Sequence, residues 1–225
     1  MIDHRGFKDG LYAEFSRVAE GLASPKRLEI LDLLAQRERS VEDLANELHL
    51  SVANASRHLR VLAQARLVEA RRAGHFAHYR LASPAVYDVL RKIQSLAHER
   101  LPDVTAIVAR HLGERPVVDP APSQLARRVR DKKVTLIDVR PESEFVAGHI
   151  PGARNIPVEQ LHKRGSLDDL PQNREIVVYC RGAYCVWADE AVDFLQRRGF
   201  RAHRLLIGPA DWAALGEKVA AGPDG

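Results

Sequence analysis

The chain has 225 residues, 45% hydrophobic and 28% charged, the balance of a soluble globular protein rather than a disordered one, with length enough for two ordinary domains. Its formal net charge of +4 is by itself weak evidence for a polyanionic partner. No apolar run approaches the roughly eighteen residues of a membrane span, and the opening MIDHRGFKDG lacks the apolar region of a signal peptide.

The first periodic stretch, Glu14 to Leu22, places Phe15, Val18, Ala19 and Leu22 on one helical face, expected to be buried. Ser24 then offers an N-cap with Pro25 at the first helical position, opening a helix whose core face is Leu28, Ile30, Leu31 and Leu34. Ser40 caps a third helix, with Asp43 in its first turn and Val41, Leu44, Ala45 and Leu48 on the buried side. After a turn at His49 and Leu50, Ser51 caps a fourth that runs to about Ala65. The period then changes: Val68–Arg72 and Phe76–Leu81 flank Ala73, Gly74 and His75, which predicts a β-hairpin. Ser83 and Pro84 start a long helix to about Arg100, and a further helical stretch reaches toward His111.

Periodicity stops in GERPVVDPAPS, whose three prolines mark a semi-extended linker. Beyond it, helix and short apolar strand alternate: a helix over Gln124–Arg130, strands over Val134–Val139 and Ile176–Tyr179, a helix over Val186–Arg198 and a strand over His203–Leu206. That alternation predicts a mostly parallel sheet covered by helices. The expected organisation is a mainly-α domain over 1–111, a linker over 112–122, and an α/β domain over 123–225.

Charge distribution says more than the total. From Arg57 to Arg80 there are six arginines and three histidines against one acid, Glu69, the footprint expected of phosphate contact. Helix, short turn, capped helix and basic hairpin together make the winged helix-turn-helix plan, in which the second helix enters the major groove. Ser51, Val52, Asn54, Ser56, Arg57 and His58 are the candidate DNA-binding residues of that helix, and Arg71, Arg72, His75 and Arg80 those of the wing. Asn54 suits an adenine edge, Ser56 and Arg57 phosphate or guanine. The stretch SVANASRHLRVLAQARLVEARRAGHFAHYRL, with ASPKRLEILDLL before it, resembles the recognition helix, wing and second helix of the ArsR family of bacterial repressors over residues 12–100. The resemblance implies a homodimer, formed through the first and last helices, on a near-palindromic double-stranded operator. Many relatives sense metal through cysteines at the start of the third helix. Here Ser40 occupies that place, Asp88, His98 and Glu99 lack a paired-ligand spacing, and neither a metal nor a cofactor is expected.

Only Cys180 and Cys185 are available as thiols. Two such residues are no disulfide framework for a chain this size, so a reducing, cytoplasmic setting is expected. In IVVYCRGAYCVWADEAV, an apolar strand delivers Cys180 to a short loop that feeds a helix. Loop N–H groups, the helix dipole and Arg181 together would lower a thiol pKa from about 8.5 to roughly 3.5–7.5 and make it a nucleophile. DVRPESEFVAGHIPGARNIP, YCRGAYC and GPADWAALG are then similar, in this order, to three motifs of the rhodanese family over residues 115–218. The resemblance implies sulfur transfer: Cys180 attacks a sulfane donor such as thiosulfate and holds the sulfur as a persulfide for an acceptor thiol, cyanide or protein.

Arg181, Gly182, Ala183, Tyr184 and Cys185 are expected around the substrate, with Arg140 facing it or pairing with Asp138. Glu144, His149, Pro151 and Gly152 shape a second loop, and Trp212 closes the core. Phosphatases and arsenate reductases of this fold carry an arginine six positions after the cysteine; here that position is Val186. Cys185 reads equally as a resolving thiol or as a small packing residue. The expectation is a transcriptional regulator whose DNA binding answers to the sulfur state of Cys180. The alternative is a sulfurtransferase that uses its winged helix for dimerisation or autoregulation.

Overall fold

The computed structural model describes residues 3–73, 76–113, 117–118, 120–163 and 165–223. The chain divides into two compact units, Met1–Gln94 and Ser95–Gly225, taken here in turn.

The first unit opens with α1 (His4–Leu22), started by the Asp3 carboxylate, which accepts from the N–H groups of Arg5 and Gly6. The helix expected from Glu14 is thus the second half of a longer one. Its predicted buried face is not buried: Phe15 is 56% and Val18 40% exposed. The face is apolar because Phe7, Leu11 and Tyr12 continue the same stripe, and these too are exposed. In α2 (Pro25–Gln36), Ser24 occupies the N-cap position but makes no side-chain cap bond; Pro25 sets the start. Ile30, Leu31, Leu33 and Leu34 form its core face, with Leu28 half-buried. Arg27 reaches back to the Gly21 and Glu20 carbonyls, both at 2.7 Å, and satisfies the end of α1.

Ser40 belongs to β1 (Arg39–Ser40), a strand not anticipated, and also caps α3 (Val41–Glu47). Its hydroxyl accepts from the Asp43 N–H while the Asp43 carboxylate accepts from the Ser40 N–H, a reciprocal capping box. At the start of α4 (Val52–Gln64) the Ser51 hydroxyl accepts from the Asn54 N–H at 3.2 Å. Ala55, Leu59 and Leu62 are the buried side of α4. Strands β2 (Val68–Ala73) and β3 (Phe76–Leu81) pair antiparallel from Val68 opposite Leu81 to Ala73 opposite Phe76, and β1 extends the sheet along β3. The hairpin tip, Gly74 and His75, lies outside the described residues. Helix α5 (Pro84–Arg100) follows, and the division between the units falls within it.

The second unit contains α6 (Pro102–Leu112), β4 (Val117–Val118), α7 (Pro122–Arg130), β5 (Val134–Asp138), α8 (Glu142–Ala147), β6 (Ala153–Asn155), α9 (Val158–Leu161), β7 (Glu175–Tyr179), α10 (Trp187–Arg197), β8 (Ala202–Leu205) and α11 (Pro209–Ala214). The strands form one sheet in the order β4-β8-β7-β5-β6, with every neighbouring pair parallel. The proline-rich stretch is therefore not linker throughout, because Val117 and Val118 pair with Arg204 and Leu205 at the sheet edge.

Alternation along the strands divides the core in two. Ile176, Val178 and Cys180 face one cluster with Ala188, Ala191 and Leu195 of α10. Val177 and Tyr179 face the other, with Leu125 of α7 and Trp212 of α11. Trp212 is 2% exposed and donates its indole N–H to the Lys218 carbonyl, so it closes the core as the sequence suggests. Among the described residues no helix is long and apolar enough to cross a membrane.

Candidate functional site

The parallel sheet dictates where the reactive residue sits. In β7 the run Ile176–Tyr179 is wholly buried, and Cys180 is the first residue past the strand, 1% exposed, on the α10 side. The next residues form a tight loop in which the Cys185 N–H donates to the Gly182 carbonyl, and α10 begins two positions after Cys185. Cys180 and Cys185 are joined by a disulfide, with their Cα atoms 6.2 Å apart. Cys185 is half-buried and packs against the same apolar cluster as Cys180. Ala183 is half-buried, and Tyr184 is exposed at the crest of the loop, where partial burial pushes its phenol above the ordinary value.

Two glycines let the loop close. Gly182 has φ +150°, which disfavours any side chain, and a Cβ there would lie 3.0 Å from the Asp211 carboxylate. Gly208 packs so closely that a Cβ would come within 2.6 Å of the Cys180 carbonyl oxygen and nearer still to that of Arg181. Asp211 holds this approach by accepting from the Gly208 N–H at 2.9 Å.

Of the two places expected for Arg140, the one beside Asp138 is occupied. Arg140 has no exposed surface. Its guanidinium donates to both Asp138 oxygens, at 2.6 Å for the shortest bond, and to the Gly148 carbonyl at 2.7 Å. Burial opposes its charge, yet the bonds to Asp138 and the nearby acids raise its pKa. Arg140 is thus the partner of Asp138 in the interior. Burial, with Asp138 beside it, likewise pushes the Tyr179 phenol well above its usual value; its oxygen accepts from the Ile150 N–H.

Arg181 turns away from the loop it belongs to. It donates to Glu144, 2.6 Å at the shortest, and lies over the Trp187 ring with its guanidinium carbon 4.5 Å from the centroid. Glu144, fully buried, neutralises the charge that was expected to act on the sulfur. His149 stacks on Phe145, and its Nδ1 pairs with the Phe145 carbonyl at 2.8 Å, so the second loop is packed into the same scaffold.

The residue that sequence reasoning missed is Arg204. It lies on β8, two positions after Ala202 and on the same face of the sheet as Cys180. Its side chain is 3% exposed and forms an ion pair with Asp189 of α10 at 2.6 Å. Its Nη2 donates to the carbonyls of Ala183 at 2.6 Å, Cys185 at 3.2 Å and Gly182 at 3.4 Å. One guanidinium therefore gathers three of the loop's carbonyls. Trans-planar geometry then turns the N–H groups of the following residues, Ala183, Tyr184 and Val186, to the opposite side. The available signal was a lone arginine at an inward position of a short apolar strand, AHRLL, where a charge needs partners.

On the first unit, α4 presents Ser51, Val52, Asn54 and Arg57 to solvent, with Ser56 and His58 half-buried. Burial first, then the neighbouring cations Arg27, Arg57 and Lys26, lowers the His58 pKa. On the hairpin, Arg72 is exposed, Arg71 pairs with Glu38 at 3.0 Å and Arg80 with Glu69 at 2.9 Å. Exposed pairs of this kind are worth about 0–1 kcal/mol, weak enough to yield to a phosphate. His75 lies outside the described residues.

Residues 121–214 match the Rhodanese-like domain family, and residues 24–70 match the family named Bacterial regulatory protein, arsR family. The HTH-type transcriptional regulator Rv0324 of Mycobacterium tuberculosis is 43% identical over 215 residues, covering 96% of this chain and 94% of the relative. A sulfurtransferase of Allochromatium vinosum is 31% identical over 103 residues, 45% of this chain and 92% of that protein. Among solved structures, the homodimeric winged helix-turn-helix DNA-binding domain of Mb0332 from Mycobacterium bovis is 39% identical, covering 46% of this chain and 95% of that one, with a TM-score of 0.43.

Proposed function

Because the chain belongs to the ArsR-type HTH transcriptional regulators, with a rhodanese-like domain on the same polypeptide, we propose that its DNA binding answers to the sulfur state of Cys180. The observation that carries this reading is the position of Cys180: the end of a buried strand, at the base of a loop closed by a second cysteine. A DNA-binding chain has no structural need for such a site.

In this reading the region 1–111 binds DNA and dimerises and 123–225 handles sulfur, all in the cytoplasm, and the residues between them join the two while Val117 and Val118 add to the sheet edge. Ser51, Val52, Asn54, Ser56, Arg57 and His58 meet the operator in the major groove, while Arg71, Arg72, His75 and Arg80 of the wing meet phosphates or the minor groove. A second copy of the chain covers the apolar stripe of α1, since a helix rarely leaves Phe7, Tyr12 and Phe15 to water without a partner.

The Cys180 thiolate attacks the outer sulfur of thiosulfate or a polysulfide, the S–S bond of the donor breaks, and sulfite or a shorter polysulfide leaves. The N–H groups that Arg204 turns away from itself, with the start of α10, stabilise the anionic persulfide in place of a bulk cation. Gly182, Ala183, Tyr184 and Cys185 line that cradle. Arg140 and Arg181 act on it indirectly, by bracing Asp138, Glu144 and Trp187. Likeness to a sulfurtransferase over 45% of the chain favours one further reading, catalysis of sulfur delivery as the main task. Both require the same thiol. Cys180→Ser is expected to abolish thiosulfate-to-cyanide sulfur transfer by the full chain; retained turnover in that variant would refute the assignment.

A further inference from the structure

The fate of the sulfur after it reaches Cys180 depends on what accepts it, and the nearest candidate is inside the loop. We infer that Cys185 is that acceptor, so that the domain reduces sulfane sulfur to sulfide and finishes as the Cys180–Cys185 disulfide. This rests on the reading that Cys180 takes up sulfane sulfur, and adds to it an activity and a defined end state.

Three features support the step. The two cysteines are bonded in the structure, with a Cα separation of 6.2 Å that lies in the ordinary span of a disulfide, so the loop brings them together within this fold. Arg204 holds the carbonyls of Gly182, Ala183 and Cys185 from one side, which fixes the path between the two thiols. A thiol on the same braced loop attacks with the high effective concentration of an intramolecular partner, whereas an external acceptor has first to be bound.

The chemistry balances without an additional oxidant. The Cys180 thiolate first displaces sulfite from thiosulfate and becomes a persulfide. The Cys185 thiolate then attacks Cys180 Sγ, a new Sγ–Sγ bond forms, the bond to the outer sulfur breaks, and that sulfur departs with the electron pair as hydrosulfide. The outer sulfur is reduced and the two thiols are oxidised. An external thiol reductant returns the pair to the starting state.

The test uses the full chain, reduced, freed of reductant under anaerobic conditions and given one equivalent of thiosulfate. Intact mass and released sulfide are then read for wild type, Cys185→Ser and Cys185→Ala. Wild type is expected to lose two hydrogens and liberate one sulfide per chain, while both variants keep the mass of one extra sulfur and liberate none. Wild type that retains the extra sulfur, as a persulfide or bridged between the two cysteines, overturns the inference and leaves Cys180 uptake intact. If wild type and both variants alike take up no sulfur and wild type releases no sulfide, the underlying reading of Cys180 fails instead.

Discussion

Cys180 is unremarkable chemistry until Arg204, Gly182 and Gly208 shape what surrounds it. The guanidinium of Arg204 meets Asp189 and three loop carbonyls, so its loss strips the fork from the loop and leaves the buried Asp189 without that cation. Breaking a buried pair of this kind costs about 3–5 kcal/mol. Arg204→Met is therefore expected to lower the urea midpoint of the second unit and to depress sulfur transfer with it. A change below about 1 kcal/mol would mean the clamp contributes no more than a surface pair. The cysteine motif was legible in sequence because an apolar strand, a cysteine and a helix start follow one another without interruption. Arg204 was not, since a sequence shows its charge but not the carbonyls that the fold brings to it. The Glu144 partner of Arg181 was illegible for the same reason: the two lie 37 residues apart in sequence.

His58 adds a pH dependence at the same scale. Burial and the cations around it hold its pKa below the ordinary histidine value, so the folded, free protein prefers it neutral, and its protonation opposes folding as the pH falls below that ordinary value. A phosphate beside the ring would favour the charged form. Operator binding then takes up a proton, and affinity is expected to rise as pH falls from about 7.5 to about 6. Anisotropy titrations of wild type and His58→Gln check this: the pH slope should diminish in the variant, and an equal slope in both would remove His58 from the interface.

Among the elements, those with a clear period were read correctly and those without one were not. Helices α2 to α5 and the hairpin announce themselves through caps, apolar spacing and the change of period at Val68. Strands β1, β4 and β6 span two or three residues each, too short for alternation to register, and exist because a neighbouring strand offers hydrogen bonds. Helix α1 was recognised only from Glu14, because residues 4–13 mix glycines and charges with the apolar positions. Its face was expected in the core of the same chain, but a helical stripe in sequence says only that something covers it. With a second copy as that cover, Phe15→Glu is expected to convert a dimer to a monomer in sedimentation velocity. Operator affinity should fall with it, since half-sites are read in pairs. An unchanged sedimentation coefficient would place the interface elsewhere.

At the scale of the whole molecule, the proposed function rests on the joining of a basic winged helix to a loop closed by two cysteines. Each half is recognisable by itself, and the proposed regulation requires that the two be coupled. That coupling is a difference in free energy between two states of DNA affinity. The direct measurement is a titration of DNA from upstream of the chain's own gene with full-length protein, reduced or treated with polysulfide, for wild type and Cys180→Ser. The account predicts that polysulfide shifts the wild-type dissociation constant by at least about tenfold, roughly 1.4 kcal/mol, and leaves that of Cys180→Ser where it was. Equal affinities for the reduced and treated wild-type protein, or the same shift in both proteins, would contradict it.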